Sequence, residues 1–95
     1  MTTEDKIRLI AAKVRNLCYY RLVVEESLED RFRCQYIHQL RGLRDTILIT
    51  LPEIPNDDPR RDWLRRIAKI IPSKVKSNEC LSIITKLSHE QQSGT

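Results

Sequence analysis

The stretch Ser27–Leu51, SLEDRFRCQYIHQLRGLRDTILITL, decides how this chain folds. Leu28, Phe32, Tyr36, Leu40, Leu43, Ile47 and Leu51 recur at intervals of three and four residues, which draws one apolar stripe on an α-helix. Ser27 and Asp30 stand at capping-box separation, so a helix is expected from Leu28 to about Thr50. Upstream, Ile7, Ile10, Ala11, Val14, Leu17 and Cys18 form the apolar face of a first helix, opened by Thr3 with Glu4 and Asp5 at its positive end. Arg21 enters that face and the apolar phase fails over residues 20–24. The predicted break at Glu25–Asp30 folds the two helices into an antiparallel αα-hairpin. Neither proline nor glycine enforces the break, so one continuous helix from Glu4 to Leu51 is the competing reading.

Beyond the hairpin, Leu51–Asp58 is an acidic connector carrying Pro52 and Pro55. Pro59–Ile71 then reads as a short amphipathic helix. Asp58 suits its N-cap, Pro59 suits its first position and Pro72 stops it. Trp63, Leu64, Ile67, Ile70 and Ile71 fall on one arc, while Arg61, Arg65, Arg66 and Lys69 fall outside it. Ser73–Lys76 is a short basic linker. Ser77 or Asn78 is expected to cap a last helix carrying Leu81, Ile84 and Leu87, with His89–Thr95 as a flexible polar tail. The whole is one all-α domain over residues 1–88: a helical hairpin, a short third helix and a small C-terminal helix.

At 95 residues, such a domain leaves a large fraction of its surface exposed and gains stability from a partner. A homodimeric helical bundle is the expected solution. Cys18, Cys34 and Cys80 are three in number, so they form no complete disulfide framework. A reducing intracellular compartment, cytoplasmic or nuclear, is expected. No apolar run approaches the ~20 residues that span a bilayer, and Met1–Asp5 does not begin a signal peptide, so no membrane is expected among the partners.

The charge pattern points to an anionic partner. The chain carries a net +4, with eleven arginines against six lysines. Pro59–Lys76 alone holds seven basic residues and one acid. Arginine's planar fork pairs well with phosphate. On the second helix, Arg31, Gln35, His38, Arg41, Gly42 and Asp45 line the face opposite the apolar stripe, with Arg44 to the side. Arg and Gln hydrogen-bond phosphate or sugar hydroxyls, and Gly42 lets another backbone approach. The expected RNA-binding residues are Lys13 of the first helix, Arg31, Gln35, His38, Arg41 and Arg44, with Arg61, Arg65 and Lys69 extending the footprint. Each residue taken singly also suits an ordinary solvated face.

Catalysis finds no foothold. There is no glycine-rich phosphate loop, no G-x-S-x-G and no H-E-x-x-H. The pairs Glu25/Glu26, Glu29/Asp30 and Asp57/Asp58 sit at helix boundaries, where caps and dipole partners belong. Cys34 and His38 share a helix face at metal-ligand spacing, but no second such pair accompanies them. No enzyme activity, metal or other cofactor is expected.

A helical hairpin followed by a proline-bearing connector and a short third helix resembles two viral families. Lys6-Ile7-Arg8-Leu9-Ile10 is similar to the opening helix of the insect nodavirus RNA-silencing suppressors. Leu28-Glu29-Asp30-Arg31-Phe32-Arg33 and Leu40-Arg41-Gly42-Leu43-Arg44 resemble the charged second helix in the RNA-binding domain of influenza-type nonstructural proteins. The similarity lies within residues 5–71 in short matches, and the long second-helix extension of the nodavirus proteins is not matched. The resemblance implies a dimeric, all-helical binder of double-stranded RNA that shields the duplex and suppresses RNA silencing or innate sensing. A-form duplexes are recognised by shape, phosphates and 2′-hydroxyls, which long polar helices serve. The alternative is an interaction module whose basic helix, Pro59–Ile71, docks on an acidic protein partner. Arg60-Arg61 and Arg65-Arg66 also fit an import signal or a membrane-surface helix.

Overall fold

A computed structural model describes residues 1–19 and 30–93, with side chains over 1–19 and 36–90. Its elements, in chain order, are α1 (Thr3–Tyr19), α2 (Asp30–Thr50), a 3-10 turn (Leu51–Glu53), α3 (Pro59–Ile70), a second 3-10 turn (Ser77–Glu79) and α4 (Cys80–Ser93). No strand occurs among the described residues.

Local chemistry explains where each helix starts. At α1 Thr3 is the first helical residue, as expected, and Thr2 caps it. The Asp5 N–H donates to Thr2 Oγ1 at 3.1 Å, and the Thr2 N–H donates back to Asp5 Oδ2 at 3.3 Å. That reciprocal pair satisfies donors that a helix terminus otherwise leaves orphaned. At α3 the expected cap is present: the Arg60 N–H donates to Asp58 Oδ1 at 2.9 Å, and Pro59 opens the helix. Ile71 caps its other end in an extended conformation, ahead of Pro72. The Ser27–Asp30 cap of the second helix, and the break itself, fall outside the described residues.

The apolar stripes meet in one core. Ile7, Ile10, Val14 and Leu17 of α1 are buried, as are Tyr36, Leu40, Leu43 and Ile47 of α2. Leu64 and Ile67 of α3 join them, with Trp63 and Ile70 half-buried at the flanks of the arc. Full burial of one such side chain contributes about 1.5–3 kcal/mol. Thr50, also fully buried, needs a partner for its hydroxyl and donates it to the Thr46 carbonyl at 2.7 Å.

The α1–α2 arrangement is antiparallel. Lys6, near the start of α1, pairs with Glu53, just past the end of α2, at 2.8 Å. At the other end Lys13 and Leu17 lie beside His38 and Gly42. A single helix over residues 4–51 would hold these pairs far apart, so the hairpin reading is the correct one.

Two segments are anchored more firmly than their composition announces. Ile54 pins the acidic connector and Val75 pins the basic linker, both by burial. α4 then packs on α1 and α3 through Ile83, Ile84 and Leu87. It remains helical through Ser93, past His89, where the sequence reading starts its tail. The Arg66 Nε donates to Glu90 Oε2 at 2.9 Å and ties this last stretch to α3.

Candidate nucleic-acid interface

The reversal of the chain sets α1 and α2 side by side, and a recess of about 460 Å³ opens along their seam. Lys13, Asn16 and Leu17 line it from α1; His38, Gln39 and Gly42 line it from α2. Lys13, Asn16, His38 and Gln39 are exposed at its rim, over an apolar floor that includes Leu17. A Cβ placed on Gly42 would meet nothing within 4 Å, so the surface there is open to an approaching molecule. Lys13 and His38, singled out from sequence on separate helices, thus share one surface. Asn16 and Gln39 escaped the sequence reading; only the antiparallel register of the hairpin brings their amides to the same place.

A second recess, of about 300 Å³, lies where α2 meets the linker between α3 and α4. Arg41, Arg44 and Asp45 line it from α2, and Ser73 and Lys74 from the linker. None of the four charged side chains has a hydrogen bond or ion pair among the described residues. Arg44 is half-buried, and its Nε is withdrawn from water with no acceptor among the described residues. An unsatisfied buried donor costs about 1–3 kcal/mol, more when it belongs to a charged group. Gly42 and Arg41 are neighbours in the chain, so the two recesses adjoin across α2.

The basic face of α3 is less available than its charge suggests. Arg61, expected to point outward as part of the footprint, is half-buried and turned back on the connector. Its Nη1 donates to the Ile54 carbonyl at 3.2 Å and to Asn56 Oδ1. Arg61 is therefore a strut for the connector, because those acceptors lie within reach of its long side chain. Arg60 binds Asp58 and Glu4, and Arg66 binds Glu90. Arg65 and Lys69 are exposed, with no partner among the described residues. Arg31 and Gln35 lie on α2 but outside the described side chains, as does Cys34 of the suggested metal pair.

Electrostatics reinforce that division. The hydrogen bonds from the Arg60 side chain hold the Glu4 carboxyl below its ordinary value of 4.5, despite some desolvation. The same side chain, then the Arg60 backbone N–H, hold Asp58 below 3.8. Arg60 is pushed further up by Glu4 first and Asp58 second. These charges serve the fold. Among the described residues, no group of three or more His, Cys, Asp or Glu side chains is placed to hold a metal ion. No helix among them is long and apolar enough to cross a membrane.

No family model, curated protein or solved structure matches the chain.

Proposed function

We propose that this chain binds double-stranded RNA, without reading its sequence, through the side of the hairpin that carries the two adjoining recesses. One observation carries the reading: Lys13, Arg41, Arg44 and Lys74 surround α2 with no ion pair among the described residues, while most α3 arginines are already engaged. Cations left free to neutralise phosphates give binding that depends on backbone rather than bases. His38, Gln39, Asn16 and Ser73 add polar groups suited to 2′-hydroxyls and phosphate oxygens.

Duplex RNA fits this surface better than duplex DNA. A DNA reader inserts a short recognition helix into the major groove. Here the short helix, α3, is packed against the core through Leu64 and Ile67, and the polar surface runs along the longer α2. The protein is not an enzyme in this reading; it acts by coverage, denying the duplex to a dicing nuclease or an innate sensor in the cytoplasm or nucleus. Two copies would extend the surface along the duplex. Leu48 and Ile49, large apolar residues exposed at the end of α2, are candidates for the dimer seam. Docking of the basic helix on an acidic protein would have to rely on Arg65 and Lys69, since Arg60, Arg61 and Arg66 are taken.

Gel shifts with duplex RNA, duplex DNA and single strands of matched length test the reading. Preference for duplex RNA, equal across unrelated sequences, supports it; absence of duplex RNA binding at low salt overturns it.

A further inference from the structure

We infer that Arg41, Arg44, Ser73 and Lys74 form a discrete binding site for a single phosphate group. The inference rests on the RNA reading only for what carries that phosphate; the site itself stands on its own geometry.

Three cations reach one recess from two separated segments. Arg41 and Arg44 are one turn apart on α2, and Lys74 arrives from the linker after α3. Among the described residues Asp45 is the single acid of the lining, and the lining side chains together carry a surplus of two positive charges. A phosphate carries one to two negative charges, according to whether it is a diester or a terminal monoester. The charges therefore match.

Arg44 supplies the stronger argument. Its Nε is buried with no acceptor among the described residues, while the same side chain lines the recess. Folding has removed this donor from bulk water without giving it a partner among the described residues. Arginine binds phosphate through parallel N–H donors. The two terminal nitrogens of Arg44, unlike Nε, remain accessible and have no acceptor among the described residues, so they are the donors an oxyanion seated in the recess would meet. The Ser73 hydroxyl adds a neutral donor beside it.

The linker also presents its two residues from a fixed position. Ile71 on one side and Val75 on the other are both buried, and Pro72 restricts the backbone between them. Ser73 and Lys74 are exposed on that short bridge. By contrast, Arg65 and Lys69 of α3 are exposed cations that line neither recess.

The test is NMR on the whole 15N-labelled chain, following the Arg44 Nε–Hε signal and the Ser73 and Lys74 amides. Inorganic phosphate and dimethyl phosphate are titrated separately, against sodium chloride at matched ionic strength. Saturable shifts at these three residues, absent at exposed Arg15 and absent with chloride, support the site. A stronger response to dimethyl phosphate marks a backbone diester as the ligand; a stronger response to inorganic phosphate marks a terminal phosphate. Lys74→Ala should weaken the response about tenfold. Ser73→Asp, which puts a carboxylate in the recess, should abolish it. Both positions are exposed, and circular dichroism checks that the helices persist. Equal shifts at Arg15 and Arg44, or an unchanged response in Ser73→Asp, overturn the site. Phosphate saturation without duplex binding would keep the site and remove the RNA reading. Duplex binding without a phosphate response would do the reverse.

Discussion

The Arg60 guanidinium holds the Glu4 carboxylate with both of its terminal nitrogens, at 2.6 and 2.9 Å, across 56 positions of the chain. The same group also donates to Asp58 at 2.7 Å. One side chain thereby ties the start of α3 to the start of α1. What looks in the sequence like surplus charge for a partner is, at this position, a clasp inside the fold.

That clasp predicts a pH dependence with a definite sign. Glu4 and Asp58 are both held below their ordinary values by Arg60. Their contribution is therefore fully present above those ordinary values and is lost as pH falls through the lowered ones. Arg60→Gln should melt below the parent protein at neutral pH, and the gap should close in acid. A gap in melting temperature that stays constant from neutral pH to about pH 2 would show that the pairing adds nothing.

Gly42→Ala should stabilise the protein. The glycine sits inside α2 without positive φ, and a Cβ there meets open space. Alanine restrains the unfolded chain and favours helix, worth about 0.5–1 kcal/mol. Urea titration measures it. A loss of stability would mean that the recess beside Gly42 is tighter than its geometry shows.

Leu64→Ala tests the docking of α3. Leu64 is fully buried, so its truncation should cost about 2–5 kcal/mol. Small domains have about 5–15 kcal/mol to lose, so a large drop in melting temperature is expected. Leu9→Ala, at a residue left 38% exposed, should cost far less. Equal effects of the two would place α3 off the core.

The apolar spacing of Ile7–Leu17, Tyr36–Ile47 and Leu64–Ile71 made the helices and their inward faces legible, because burial selects residues at helical period. Pro59 with Asp58 marked the start of α3 for the same local reason. Long-range partners leave no such trace. Arg60 and Arg61 look alike in the sequence, yet one grips Glu4 and the other the Ile54 carbonyl. Only the docked position of α3 decides that. Ser73 and Lys74 read as linker because their place beside Arg41 depends on the burial of Val75, a tertiary event. The polar composition of His89–Ser93 likewise hid a helical end, whose tether to Arg66 is set by packing.

The direct measurement is duplex RNA affinity as a function of salt, for the parent chain and for Lys13→Ala/Arg41→Ala. Both side chains are exposed, so the variant should fold normally. For the parent, log affinity should fall steeply and linearly with log salt. The variant should bind every sequence more weakly, with the slope reduced by about one for each phosphate contact removed. Unchanged affinity and slope in the folded variant would contradict an RNA interface on α1 and α2.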